Sequence, residues 1–556
     1  MAARRRRHSH VRRYRHIAEV LIRHGFGYLI DQLELHHLVP WRSRWFRRSE
    51  PARAPSPGER LRHVLEELGP TYVKFGQMLS VRTDLLDPEI SAALSRLHDA
   101  VPPFPSQEAK RLIEEELGRP LGELFAHFDE TPLAAASIAQ AHRARLHSGE
   151  EIVLKVRRPG IEHVIATDIH MLIGLAHLVK EHLRPELFDP VEMVHEFARV
   201  IRRELDLREE GRHVERFAAF FKGDEGVVIP KVYWEYSSER LLAVEFVDGV
   251  KVSDHEALAA WGIDRRAVAR RGAEAFLKQV MIAGYFHGDP HPGNLLVTRD
   301  GRVAFIDFGV VGRLSARQRE ALVDMFIGMV RHDTEAIVLS LRRLGAVGVA
   351  VDSEALRKDL GDLIDRHYGK ALAEVQIGAL LSDLFEVVHR HRIRLPSDFL
   401  LLGKAIVTIE GVGKSLDPSF DVAEIAEPFA RRLLAERFAP DRLVGQALES
   451  ARRYARIAAR LAPALDESLQ KLNSGELEVG FRHTGLDRLI TRIDIVGNRI
   501  SFSLIIAALV IGSSMVIQAQ VGPLVMGISL LGLFGFVVAA LFGLGLVLSI
   551  LRSGRL

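Results

Sequence analysis

The sequence predicts an α+β chain with a helical N-terminal extension, a central segment of short strands, a long helical stretch and a C-terminal membrane-crossing helical hairpin. Three observations carry this. Short runs of strand type are confined to about residues 130–310. Helical periodicity continues from 315 to about 470. From Ile500 to Leu551 there is no Asp, Glu, Lys, Arg or His. Composition bounds the rest. With 47% hydrophobic and 26% charged residues over 556 positions, the chain is no disordered protein. It has no cysteine, which excludes disulfides, thiolate metal sites and a cysteine nucleophile. Lys+Arg is 75 against Asp+Glu 72, so overall charge gives no reason to expect a nucleic-acid partner.

The N-terminus carries Arg4 to Arg7, Arg12, Arg13 and Arg15 before the first acidic residue, Glu19. A disordered arm drawn to anionic lipid head groups is the expectation; a transit peptide or a solvated tail are the alternatives. His16–Leu35 reads as a short amphipathic helix, and Pro51 to Gly58 as a linker. Helices are expected at Glu59–Leu68 and 106–117, the latter with Ser106 as N-cap. Ala141–Leu146 and Glu151–Val156 flank the turn 147–150 as a hairpin, and 161–221 returns to helical spacing. Val227–Tyr236 and Arg240–Val247 form a second strand pair, followed by helices at 254–261 and 265–285. Asn294–Thr298 and Val303–Ile306 flank the turn Arg299 to Arg302. These shifts divide the chain into a basic arm and linker (1–58), a helical extension (59–130), a strand-containing lobe with inserted helices (131–249), a helical lobe (250–495) and two transmembrane helices (500–551).

The uncharged stretch is long enough for two spans of about 20 residues each, the length that crosses a hydrocarbon core of about 30 Å. They read as Ser501–Gln518 and Leu524–Ile550, broken near Gln518 to Pro523. Ala508, Gly512, Gly535, Ala539 and Gly543 make a small-residue stripe at helical spacing. Arg492 and Arg499 precede the hairpin and Arg552 and Arg555 follow it. The positive-inside tendency then places both ends on the cytoplasmic side of an inner, cytoplasmic membrane. A buried soluble hairpin is the competing reading.

The chemistry sits in His287-Gly288-Asp289-Pro290-His291-Pro292-Gly293-Asn294, with Asp307-Phe308-Gly309 thirteen residues after Asn294. Phosphoryl transfer needs a carboxylate near the attacking oxygen and oxygen ligands for Mg²⁺ on the phosphates. Asp289 is the candidate for the first; Asn294 and Asp307 are candidates for the second. The five-residue step from Asp to Asn is that of a kinase catalytic loop. A metal site on His287 and His291 lacks a third clustered ligand. Lys155 in Val153-Leu154-Lys155-Val156 stands in the register of the kinase lysine that holds the α/β phosphates. Its carboxylate partner is open among Glu204, Asp206, Glu209 and Glu210. Residues 241–249, including Glu245 and Val247, would be the hinge that contacts adenine. No G-x-G-x-x-G precedes Lys155; Ala134, Ala135, Ala136 and Ser137 stand in its place, and alanine restricts how closely backbone amides approach phosphates. Together these parts look like those of a kinase site that takes ATP and Mg²⁺.

The run 134–142 resembles the alanine-rich loop of the UbiB/AarF atypical kinase-like family. Lys74-Phe75-Gly76-Gln77 is similar to its KxGQ motif, Glu204-Leu205-Asp206 to its ExD motif, and 287–294 to its catalytic loop. The terminal hairpin looks like that of bacterial UbiB proteins. The resemblance implies a two-lobed protein-kinase-like fold with a helical N-terminal extension, in which the KxGQ segment lies over the site where a protein substrate would dock, Lys74 pairs there with Glu204 and Asp206, and Glu210 partners Lys155. It also implies ATPase activity and a role in ubiquinone biosynthesis, with membrane lipids, quinone precursors and quinone-synthesis enzymes as partners, and leaves a homodimer open. A protein or lipid kinase and a nucleotide-binding scaffold are the alternatives. Two departures stand out: His213 where the family has asparagine, and Ala141 where it has valine.

Overall fold

A computed structural model describes residues 2–32, 55–82, 85–97, 101–183, 189–344, 351–367, 377–437, 451, 455, 459, 486–519, 522–525 and 528–552. The chain divides into two compact units, residues 1–444 and 445–556.

In the first unit the basic N-terminus is a helix, α1 (Ala2–Arg23), and not an unstructured arm. Its second half buries Ile17, Ala18 and Val20. Arg13 places its Nε 2.8 Å from the buried carboxylate of Asp168 and donates to Leu68 O at 2.8 Å. These contacts supply what the arginine-rich sequence alone lacks. Gly25, at φ +83°, turns the chain into α2 (Gly27–Gln32); residues 33–35 of the predicted helix lie outside the described residues. Of the expected linker, residues 51–54 lie outside the described residues, while Pro57 and Gly58 open α3 (Pro57–Leu68). The Ser56 hydroxyl accepts from Glu59 N there, and proline costs nothing in a first turn. Next come α4 (Pro70–Val81), α5 (Pro88–Leu94) and α6 (Ser106–Leu117). Pro105, not Ser106, is the N-cap of α6.

Helix α4 crosses α3 and α5 closely at Gly76. A Cβ there would overlap the methyls of Leu65 and Leu97, both buried. Gly76→Val is therefore expected to destabilise the extension by about 1–3 kcal/mol, read as an earlier denaturation midpoint.

A short α7 (Leu121–Leu124) leads into β1 (Phe125–Phe128), β2 (Ala134–Ala135), β3 (Ala139–Leu146) and β4 (Glu151–Arg157). After α8 (Ile161–His182), α9 (Pro190–Glu204) and α10 (Leu207–Phe220) come β5 (Val227–Val228) and β6 (Leu241–Glu245). The antiparallel order β1-β3-β4-β6, with β2 also on β3, forms the sheet of the first lobe. Its alternation sends Ile152, Leu154 and Val156 into a core with Leu112 and Ile113 of α6. The inserted α8 and α9 pack against the extension instead, burying Ile165, Ile169, Phe197 and Ile201 with Val64, Leu65 and Tyr72.

The second lobe begins with β7 (Gly249–Lys251), α11 (His255–Ala260) and α12 (Arg265–Leu277), the last extended by a π-helical turn to Ala283. Then follow β8 (Tyr285–His287), β9 (Leu295–Thr298), β10 (Val303–Phe305) and β11 (Val311–Arg313). Strand order is β5-β10-β9-β7, and β8 pairs with β11. Helices α13 (Ala316–Val330), α14 (Thr334–Arg343), α15 (Ser353–His367), α16 (Ile377–Arg390), α17 (Ser397–Leu416) and α18 (Val422–Arg437) follow among the described residues. Phe217, Phe276, Phe286, Phe305 and Phe308 share a core with Leu402, Ala405 and Ile409 of α17. Helix α4 packs on α8 and α9 and also on α17, so the extension reaches both lobes.

In the second unit α19 (Leu486–Gln518) and α20 (Leu530–Arg552) pack together as a hairpin. Val496–Gln518 and Leu530–Val547 are long and apolar enough to cross a membrane. The second helix starts at Leu530 and not at Leu524, because β12 (Leu524–Val525) and β13 (Ile528–Ser529) pair across the turn. The seam uses only part of the predicted stripe. Gly532 meets Ile517, Gly535 meets Ser513 and Ala539 is buried, whereas Gly512 and Gly543 face open space and Ala508 is exposed.

Candidate active site

Strand β4 alternates, so Lys155 lies on the face opposite the core. Helix α10 comes to that face because Asp206 ends the preceding turn and caps it, its carboxylate accepting from Arg208 N. One turn on, Glu210 is buried, and Lys155 Nζ donates to both its oxygens at 2.8 Å. The structure thus brings Glu210, of the four candidate acids, to the lysine. Asp307 Oδ2 lies 3.6 Å from the same ammonium. Burial works against the charge on Lys155, but Asp307 and Glu210 outweigh it and raise its pKa. Burial pushes the Asp307 carboxyl up; Lys155 and the Gly309 amide overcome this and hold it at about 2. The pair is therefore ionised throughout the neutral range.

The catalytic-loop segment is fixed by a histidine. His287 closes β8, and its backbone N–H donates to the buried Gln279 side chain at 3.0 Å. Its ring is buried, which lowers its pKa and keeps it neutral. Nδ1 accepts from Asp289 N at 3.2 Å, and Nε2 donates to the Asp307 carbonyl. One imidazole thereby ties the Asp289 backbone to the Asp307 backbone. With both nitrogens used, His287 is no metal ligand, and His291 Nδ1 accepts from Gly293 N. Gly288 must be small, since a Cβ would stand 2.8 Å from Leu401 Cδ2 and Val310 Cγ1.

Asn294 donates from Nδ2 to Asp289 O at 3.1 Å, which leaves its Oδ1 as an acceptor. Asp307 takes the Gly309 N–H on Oδ1 at 2.9 Å. Asn294 O also accepts from Ile306 N at 3.2 Å, so the turn β9–β10 returns Asp307 to the catalytic loop. An amide oxygen and a carboxylate oxygen suit a Mg²⁺ that takes its other ligands from phosphates and water. His213 explains one departure noted in the sequence. Its Nδ1 donates to Phe308 O at 3.0 Å, holding the segment after Asp307 against α10.

The alanine loop is a tight turn. Ala134 and Ala135 pair with Ala141 and Gln140, and Ala136 N donates to Ala139 O at 2.8 Å. Ser137 is wholly buried, its hydroxyl without a hydrogen-bond partner among the described residues. Gln140 and His142, both buried, fasten the loop's far end. Gln140 bonds both backbone groups of Phe104 and donates to His142 Nε2, whose Nδ1 donates to Asp129 O. On the hinge, Glu245 ends β6 with its amide donating to Lys231 O at 2.8 Å, and Val247 follows in the crossover to β7.

Lys74 Nζ on α4 lies 2.5 Å from Glu204 Oε1. Asp206 engages Arg208 at 2.8 Å through each oxygen while capping α10. Gln77 donates from Nε2 to Leu97 O at 3.1 Å, stitching α4 to the segment after α5.

Sequence reasoning missed several residues here. Arg157, at the end of β4, is buried and donates to Leu205 O, fixing the turn that presents Glu204 and Asp206. Strand alternation puts it on the face of Lys155, opposite the core, so no local pattern marks its burial. Lys404, on α17, brings Nζ 3.1 Å from Asp289 Oδ1. No local pattern marks it, because the pairing depends on how a distant helix packs.

Residues 96–341 match the ABC1 atypical kinase-like domain. Residues 360–421 match the UbiB helical domain, and 484–552 the ABC1/UbiB kinase-like C-terminal domain. An uncharacterized protein of Synechocystis sp. is 36% identical over 82% of this chain and 79% of its own. A protein from the 5′ region of hydrogenase 1 in Clostridium pasteurianum is 30% identical over 98% of this chain and all of its own. A "Probable protein kinase UbiB" of Tolumonas auensis is 37% identical over 77% of this chain and 80% of its own. The matched lengths, with the alanine loop and the Lys155–Glu210–Asp307 cluster, leave one assignment: the chain belongs to the ABC1/UbiB atypical kinase-like family.

Proposed function

We propose that this protein is a membrane-anchored, kinase-like ATPase that uses ATP and Mg²⁺ to support isoprenoid-quinone synthesis. The observation that carries the proposal is the placing of Lys155, between Glu210 and Asp307, together with Asp289 and Asn294 on the facing loop. Lys155 would hold the α and β phosphates, and Asp307 and Asn294 would hold Mg²⁺. A metal held there would supply positive charge against the negative charge that develops in transfer. Asp289 would accept the proton of the attacking oxygen. The alanine loop would cover the phosphates, with Glu245 and Val247 beside adenine.

Water is favoured as acceptor by α4, which packs on both α9 and α17 and carries Lys74 to Glu204. A helix across that face leaves little room for a folded protein substrate. The quinone part of the reading rests on the likeness to UbiB proteins, and membrane anchoring on the two apolar helices. Both flanks of the hairpin are basic, which favours a cytoplasmic kinase-like domain at an inner membrane. Membrane lipids and quinone precursors are the proposed partners; quinone-synthesis enzymes and a second copy of the chain are further candidates.

The test is ATP hydrolysis by the full chain in liposomes, with and without a phenolic quinone-precursor analogue. Hydrolysis that rises severalfold with lipid and analogue is expected. Transfer of the γ-phosphate to a protein or lipid, with no release as phosphate, would replace the ATPase reading by a kinase one.

A further inference from the structure

Asp289 reaches the cleft with a cation already beside it. Lys404 Nζ, from the middle of α17, lies 3.1 Å from Asp289 Oδ1, and each side chain is about two-fifths exposed, at 40% and 38%. The catalytic loop itself offers no comparable charge. Its residues from 287 to 294 are His, Gly, Asp, Pro, His, Pro, Gly and Asn. The buried His287 ring has both nitrogens engaged, by Asp289 N and Asp307 O, and His291 accepts from Gly293 N in its own turn. Lys155 is held on the other side of the site by Glu210. On the side where the acceptor oxygen would enter, Lys404 is the cation that touches the candidate base.

We propose that Lys404 is a further catalytic residue, whose ammonium neutralises the transferred phosphoryl group from the side of the acceptor. The inference rests on the phosphoryl-transfer reading above. In the step, an acceptor oxygen, that of water in hydrolysis, attacks the γ-phosphorus of ATP. The bond from that phosphorus to the β–γ bridging oxygen breaks, and its electron pair stays with ADP. The proton of the attacking oxygen passes to the Asp289 carboxylate, so ATP and water give ADP, phosphate and a proton. Lys404 neither gains nor loses a proton. It engages one carboxylate oxygen of Asp289 at rest, and its flexible stem lets the ammonium reach the equatorial oxygens, over which negative charge spreads. Its placing is secured by α17, where Leu402, Ala405 and Ile409 sit in the core.

The experiment uses the full chain in liposomes, with wild type, Lys404→Met and Lys404→Arg. Turnover with Mg·ATP is measured beside binding of a fluorescent ATP analogue. Lys404→Met should lose about 10²–10³-fold in kcat, the loss typical of one charge-stabilising donor. Nucleotide affinity should stay within about threefold of wild type, and Lys404→Arg should recover at least tenfold over Met. Retained binding shows that the variant is folded. A Met variant with wild-type kcat overturns the inference and leaves the phosphoryl-transfer reading intact. So does a loss confined to nucleotide affinity. A wild type that binds but never turns over ATP overturns both.

Discussion

Asp307→Asn is expected to reduce ATP turnover by about 10²–10⁴-fold, the several kcal/mol that a correctly held metal contributes to a transition state. The substitution is nearly isosteric. An amide oxygen can still accept from Gly309 N, and the carbonyl of residue 307 can still accept from His287. What goes is one negative charge between two lysines: Lys155 lies 3.6 Å from Oδ2, and Lys74 also acts on the group. Asn294 alone would then face the cation. The apparent affinity for Mg²⁺ should fall with turnover, while the denaturation midpoint moves little. In cells the variant should remain in the membrane fraction, since the hairpin is untouched, and quinone content should fall. Turnover within threefold of wild type at ordinary Mg²⁺ would remove Asp307 from the metal role. Normal quinone content in a variant that has lost turnover would separate ATP hydrolysis from quinone synthesis.

The parts of the site that sequence makes legible are those whose spacing is enforced locally. Asp289 and Asn294 belong to one loop, and Asp307 follows after a two-strand turn whose length sets the distance. Lys155 is readable because strand alternation fixes its face. Glu210 is less so. Glu204, Asp206, Glu209 and Glu210 share a short segment, and only the cap at Asp206 sets the rotation of α10 that selects among them. Lys404 and Arg157 are invisible for a related reason. Their partners lie across packed elements, and no periodicity records such a pairing. The N-terminus shows the opposite error. Its arginines suggest solvation, yet Asp168 on α8 takes Arg13, and the apolar residues after it bury their own face. The apolar C-terminal hairpin was legible from its missing charges, but its seam was not. Which small residues meet depends on the relative rotation of the two helices, and that rotation chose Gly532 and Gly535 over Gly512 and Gly543.

Glu210→Leu should damage both stability and chemistry, by two routes. Glu210 is buried and gives Lys155 two bonds of 2.8 Å. Removing one partner of such a pair strands the other, at a typical cost of about 3–5 kcal/mol. The stranded ammonium still has the carboxylate of Asp307 at 3.6 Å. Closing on it would draw the carboxylate proposed to hold Mg²⁺ into an ion pair, so turnover should fall by about 10²–10³-fold, a loss similar to that of one preorganised charge. The two routes are separable. Replacing a buried pair by apolar residues of similar volume is often neutral or stabilising. Lys155→Met combined with Glu210→Leu should therefore recover most of the stability lost by Glu210→Leu alone, with a coupling of up to about 3 kcal/mol in the double-mutant cycle. Activity should not return, because the phosphates would have lost their lysine. A double variant as unstable as the single one would mean that packing of α10 on β4, and not the charge pair, holds the two elements together. In that case Lys155 would owe its position to the strand, and Glu210 would serve only to keep the ammonium from closing on Asp307.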